Sequence, residues 1–276
     1  MMTIGSDPEF FISDTRTGNP HPACGMFGGV KGKPVPIPGL GDGFGYQEDN
    51  VMLEFNVPPA TDPYDFSENI HSAMMALSDL VRTKGDHLSI DNACSRLFAR
   101  DLLDHPKSRE FGCSPDFNAY ANGGPCDPVE MRLLAEDTGE WRFAGGHIHL
   151  GYDKKDELPR FVVAAFADIF IGLNTIRWDR QGKRREFYGR PGRFRPTPYG
   201  MEYRTLSNAW LLRRQRTEQV ACDALALLRW LDECPLGAMQ EHFVSIPWGD
   251  VQQAFITENA DWACRLYDEL TTRLRS

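Results

Sequence analysis

The chain has 276 residues, 41% hydrophobic and 25% charged, with a formal net charge of −9 and a pI near 5.3. This is the composition of an ordinary soluble globular protein, with material for one large domain or two small ones. The acidic balance argues against general nucleic-acid binding, which needs a basic face. Seven cysteines (24, 94, 113, 126, 222, 234 and 264) are dispersed without a CxxC pair, as expected of free thiols in a reducing cytoplasm rather than a disulfide framework or zinc knuckle. The N-terminus carries neither a basic segment nor an apolar one, so no signal peptide is expected. The longest apolar run, residues 161–173, is interrupted by Asp168 and falls short of the roughly 20 residues a membrane span needs.

Taken in order, residues 3–13 read as one strand on which Asp7 and Glu9 share a face. Acidic residues are depleted in strands, so the pair is either a charged sheet edge or two carboxylates aimed at a cation. Residues 21–45 are rich in glycine and proline with interleaved apolar residues, which predicts short twisted strands and tight turns carrying a mobile loop. No GxxxxGK[ST] phosphate loop is present. Residues 47–57 predict a turn leading into a strand. Glu54 sits there among apolar neighbours and needs a cation, an arginine or a metal beside it. Glu48 lies six residues earlier, about 20 Å along a straight strand, and can share Glu54's site only if Asp49-Asn50 turns the chain back.

Residues 64–83 carry apolar side chains at helical spacing, with Thr61 or Asp62 able to cap. A strand at 87–91 comes next, and then a short helix. Residues 111–120 form a polar and aromatic loop, either a pocket lining or an ordered loop, in which Cys113 has no spacing that marks it as a nucleophile. Residues 141–152 read as a strand. It contains Gly145-Gly146-His147-Ile148-His149-Leu150-Gly151, which turns two imidazoles to one face. Such a strand is half of a metal or phosphate site, or a polar edge without chemistry. A long helix is expected over 157–179. The basic segment after it ends in a Gly/Pro-rich loop with Arg190, Arg193 and Arg195, whose guanidinium forks suit phosphate oxygens. Residues 200–208 form a strand with Glu202 and Arg204 on one face, and 210–232 and 258–274 read as helices.

These strands, in this order, resemble those of the glutamine synthetase and glutamate–cysteine ligase superfamily of ATP-dependent carboxylate–amine ligases. Gly5-Ser6-Asp7-Pro8-Glu9-Phe10-Phe11 resembles the first catalytic strand, with Asp7 where Glu is usual. Gly145-Gly146-His147-Ile148-His149 resembles the His-x-His strand, and Met201-Glu202-Tyr203-Arg204 the closing Glu-x-Arg strand. With Gly112-Cys113-Ser114-Pro115-Asp116-Phe117-Asn118, the set is more closely similar to the phage-type COOH–NH2 ligase (type 2) group. The resemblance spans residues 5–208; the C-terminal helices add nothing specific to it.

The resemblance implies one α+β catalytic domain over 1–276: a curved antiparallel sheet, a half barrel like that of glutamine synthetase, with helices on its outer face. It implies ATP and two or three Mg²⁺ ions, with Mn²⁺ an alternative. Glu9, Glu48 and Glu54 would hold one ion, and Asp7, His147 and Glu202 a second. His149 would contact the acid substrate or a phosphate, and Arg190, Arg193 and Arg204 would steady the transferring phosphoryl group. The implied partners are a small-molecule or peptide carboxylate and an amine, in the cytoplasm (the host's, if phage-encoded), with no membrane and an open oligomeric state. The competing readings are a guanidino-type phosphotransferase on the same fold, a metal-dependent hydrolase, although HExxH is missing, and a non-catalytic binding protein.

Overall fold

The computed structural model describes residues 1–109, 116–126 and 139–276. The segment expected as one strand over 3–13 is two: β1 (Thr3–Ser6) and β2 (Glu9–Asp14). Pro8, which has no N–H to give a ladder, stands at the break. Then come β3 (Pro20–His21), β4 (Val35–Pro36), β5 (Gly45–Asp49) and β6 (Met52–Asn56), and after them β7 (Leu88–Asp91), β8 (Ser95–Leu97) and β9 (Phe117–Asn118). The expected strand 141–152 is also interrupted, giving β10 (Trp141–Phe143) and β11 (Ile148–Gly151). β12 (Arg193–Thr197) and β13 (Gly200–Tyr203) come last.

Every strand pairing among the described residues is antiparallel. β1 enters a five-stranded sheet of order β1-β11-β13-β12-β9, whereas β2 enters a second, of order β3-β2-β6-β5-β4 with β7 also paired to β2. The chain therefore crosses from one sheet to the other between Ser6 and Glu9, and neither sheet closes into a barrel. The sheets meet again where Glu9 N–H donates to the Gly145 carbonyl (2.9 Å) and Gly145 N–H donates to Glu9 Oε2 (2.7 Å).

Helices cover the sheets. Asp62 caps Pro63–Lys84 by accepting from the Tyr64 and Asp65 amides, and Phe66, Ile70 and Leu77 on that helix are fully buried. The expected long helix 157–179 is shorter: it runs over Arg160–Ala167, widens into a π-turn at Asp168–Gly172 and ends in Leu173–Thr175. Beyond Arg214–Glu233, two helices that periodicity did not reveal, Leu236–Ser245 and Trp248–Thr257, precede Ala260–Arg275. They close an aromatic cluster of Phe166, Trp230, Phe243 and Trp248, with ring centroids 4.6–6.0 Å apart. No helix among the described residues is long and apolar enough to cross a membrane.

Two constraints hold the site strands in place. Gly146 is pinned by its amide to the Leu206 carbonyl and by the Trp210 indole, which donates to the Gly146 carbonyl. Behind the five-stranded sheet, the π-turn carboxylate of Asp168 accepts from Tyr203 (2.6 Å), Tyr120 (2.7 Å), Thr205 (3.4 Å) and the Gly192 amide. One buried group thus ties together the backbones that carry Glu202, Arg193 and Asn118. Burial pushes its carboxyl up to about 7, although these donors pull it down.

A Cβ at Gly146 would collide with the Ser207 carbonyl and the Trp210 indole nitrogen. Gly146→Ala should therefore cost about 1–3 kcal/mol of stability, measured by urea unfolding. Asp168 titrates at a higher pH folded than unfolded. Its contribution to stability is therefore complete below about pH 4 and is lost as pH rises towards 7. The stability difference between wild type and Asp168→Asn should accordingly fall between pH 4 and 7 and level off above, in denaturation curves taken across that range.

Candidate functional site

Antiparallel register lays the site residues in rows. Gly5 pairs with His149, His149 with Glu202, and Glu202 with Arg195, which puts an imidazole, a carboxylate and a guanidinium side by side on one face. The adjacent row contains His147, Arg204 and Arg193; the Arg204 amide donates to the Arg193 carbonyl and Arg193 pairs with Asn118. Asp7, at the crossing between sheets, leans over both rows. Its Oδ1 is 3.1 Å from His149 Nε2 and 3.5 Å from His147 Nδ1. Asp7, His149 and Glu202 each present one ligand atom within 4.8 Å of the others, a spacing suited to a metal ion.

The second sheet supplies another such group. Glu9 pairs with Glu54, and Glu54 with Gln47; Asp49, two residues on from Gln47, lies on the same face. Glu9, Asp49 and Glu54 present ligand atoms within 4.8 Å of one another. Gln47 Nε2 donates to Glu54 Oε1 at 2.9 Å. Glu48, expected beside Glu9 and Glu54, is not brought to them, because the pleat turns it to the opposite face. There its carboxylate accepts from the amides of Gly25 (3.0 Å), Phe27 (2.8 Å) and Gly28 (2.8 Å) and from Lys107 Nζ (2.9 Å). Burial works against its ionisation, but these donors outweigh it and hold Glu48 at about 2.

The two groups differ in electrostatics. Burial disfavours charge on Asp7 and Glu202, yet His149 and His147 hold Asp7 well below its usual range, and Arg204 and His147 bring Glu202 to about 2. In the other group burial outweighs the pull of Lys31, His147 and Arg204. It raises Glu9 and Asp49, and it raises Glu54 strongly with help from the charges on Asp7, Glu9, Asp49 and Glu202. All five carboxylates therefore share one field.

The arginines play unequal parts. Arg204 is buried and donates to Glu202 and to the Tyr188 hydroxyl, with its Nε 2.7 Å from Asp116 Oδ1. Arg195 Nη1 donates to the other Glu202 oxygen at 3.1 Å. Arg193 is 7% exposed, and its Nη1 has no hydrogen-bond partner among the described residues. Arg190 instead turns back along the chain, its Nε and Nη2 donating to the Glu186 carbonyl at 3.2 and 2.7 Å.

The sequence left open whether Glu48 or Asp49 is the ligand, and it did not single out Asp116, Tyr188 or Tyr199 as site residues. Tyr188 Oη is 3.1 Å from His147 Nε2, and Tyr199 Oη is 2.7 Å from His149 Nδ1. Asp49 lies five residues before Glu54, an odd spacing that parity alone assigns to the other face, so finding it needed the pairing of Gln47 with Glu54; the tyrosines needed the fold. Residues 110–115, with Cys113, lie outside the described residues.

The arrangement can hold two cations side by side, with guanidinium groups next to one of them. No curated protein matches the chain. A family model described as phage phiEco32-like COOH·NH2 ligase, type 2, matches residues 126–275. The match takes in both histidines, the arginine loop, Glu202 and Arg204, and it continues through the C-terminal helices, where the motifs had nothing specific to offer. Covering more than half of the chain, it shows that this protein belongs to that family of enzymes joining carboxyl to amine groups.

Proposed function

We propose that the chain is an ATP- and Mg²⁺-dependent carboxylate–amine ligase that works through an acyl phosphate, and that its two sheets form a cradle like that of glutamine synthetases. The observation that carries this reading is the pair of neighbouring ligand groups, Asp7/His149/Glu202 and Glu9/Asp49/Glu54, on either side of the crossing at Pro8. Oxygen-rich sets of this kind fit Mg²⁺ or Mn²⁺. Asp7 Oδ1 and His149 Nε2 are buried polar atoms with no hydrogen bond of their own, as ligand atoms are before a cation arrives. Bound there, divalent cations would neutralise and orient the phosphates of ATP.

In this reading the substrate carboxylate attacks the γ-phosphorus and ADP leaves. The amine then attacks the acyl carbon and phosphate departs, taking the activated oxygen with it. Arg193 and Arg204, at the β12 side of the cation groups, stabilise the transferring phosphoryl charge. Arg190 joins them only by leaving the Glu186 carbonyl, a movement of the 188–198 loop. That loop and the glycine-rich segment 25–45 are the two that can shut water away from the acyl phosphate.

Incubation with Mg·ATP and pools of amino acids and amines should release ADP only when an acid and an amine are both present, with a new mass for the amide. A phosphorylated product without amide would instead establish a phosphotransferase. Glu9→Gln, which keeps an acceptor for the Gly145 amide while removing a charge, should lose more than about 100-fold in activity with unchanged or slightly raised thermal stability. Asp49→Asn and Glu48→Gln should separate. The first should abolish ADP release in a stable protein; the second should lower the melting temperature, because it weakens the hold on the 25–28 turn.

A further inference from the structure

We infer that Lys31, at the tip of the turn that follows Gly29, is a further binding residue for the nucleotide: its ammonium caps the exposed side of the Glu9/Asp49/Glu54 group and holds a phosphate oxygen beside the cation there. The inference rests on the Mg·ATP proposal, and its basis is the way the glycine-rich segment is laid against β5. The Glu48 amide donates to the Gly28 carbonyl (3.3 Å), and the Glu48 carboxylate accepts from the amides of Phe27 and Gly28, so backbone and side chain both fasten the segment to the strand. Gly29 then lies directly on β5. A Cβ at that position would stand 2.8 Å from the Tyr46 carbonyl oxygen and 2.9 Å from Gln47 Cα. Gln47 is the cross-strand partner of Glu54, and Asp49 is two residues along on the same face. From this anchor the chain makes one tight turn. Val30 and Lys33 exchange both backbone hydrogen bonds (3.3 and 2.8 Å), and Gly32, at φ 80°, takes the left-handed position. Lys31 is thus an exposed residue only two positions from a point fixed against the acidic strand.

A charge anchored so close to the group acts on it. Burial raises the Asp49 carboxyl, and among the positive charges that oppose burial Lys31 is foremost, ahead of His147 and Arg204. Three ionised carboxylates around one divalent ion leave a single negative charge, and one ammonium cancels it. Lysine suits this part, because it is a compact charge on a flexible stem that can follow a phosphate oxygen. A divalent ion at Asp49 would repel the ammonium from that carboxylate. The negative charge then nearest to Lys31 would be the phosphate chain that the ion itself holds.

Two binding measurements on the full chain read this with opposite signs, with the melting temperature as the check on folding. Lys31→Met removes a competing charge, so Mn²⁺ without nucleotide should bind at least about threefold more tightly, followed by the electron spin resonance of the free ion. The same variant should bind Mg²⁺ with the non-hydrolysable analogue AMP-PNP at least about tenfold more weakly in calorimetry. Lys31→Arg, which keeps the charge, should recover most of that loss. Lys33→Met makes the same change in net charge on the same turn and should leave both affinities within about twofold of wild type. Equal effects of Lys31→Met and Lys33→Met, or tighter Mn²⁺ with unchanged AMP-PNP binding, overturn this inference alone. A wild-type protein that binds neither Mn²⁺ nor Mg·AMP-PNP overturns the Mg·ATP reading with it.

Discussion

Like charges crowded into a buried face set the terms for this structure. Two carboxylates 4–5 Å apart repel by roughly 3–4 kcal/mol at an effective dielectric of 20. Three such pairs among Glu9, Asp49 and Glu54 would consume about 10 kcal/mol, the whole stability of an ordinary domain. The chain meets this burden differently on its two sides. Asp7 and Glu202 are neutralised from within, by two imidazoles and by Arg195 and Arg204. For Glu9, Asp49 and Glu54 burial outweighs Gln47, a backbone amide and the pull of Lys31, His147 and Arg204, and they answer by holding their protons more tightly. A site that is half neutralised and half in need of positive charge is what the proposed Mg·ATP would complete.

The fold creates this crowding by bending one strand between two sheets. Two residues that share a face in a continuous strand are separated by Pro8: Asp7 goes to the histidine row and Glu9 to the glutamate row. The Glu9–Gly145 exchange fixes the seam from the front. The Asp168 carboxylate fixes the arginine-bearing strands from behind, through the hydroxyl groups of Tyr203 and Tyr120. The π-turn lets a helix present that carboxylate, since the widened turn shifts the register of the helical residues after it.

Much of this was legible in the sequence, and the failures share a cause. Local patterns found the capped helix at Pro63, the paired imidazoles and the Glu202/Arg204 face, because periods of 3.6 and 2 are written in neighbouring residues. Pairing register is not. Choosing between Glu48 and Asp49 required knowing that Gln47 lies opposite Glu54, and a shift of one residue exchanges the two faces. The two short helices between 236 and 257 escaped because they bury few residues each and carry no side-chain cap.

The grip of Glu48 on the glycine-rich turn bears on how the proposed nucleotide would be held. Three amide directions, from Gly25, Phe27 and Gly28, converge on a carboxylate that belongs to the protein itself. Convergent amides of this kind make an anion nest, the device by which many nucleotide-binding loops grasp a phosphate. Here the nest is filled by a tethered occupant, so the turn is closed to phosphate and acts as a fastener between segment 25–28 and β5. In the proposed reading, the grasp on a triphosphate would come from guanidinium groups and cations, which are sensitive to salt and chelators in a way that a ring of backbone amides is not.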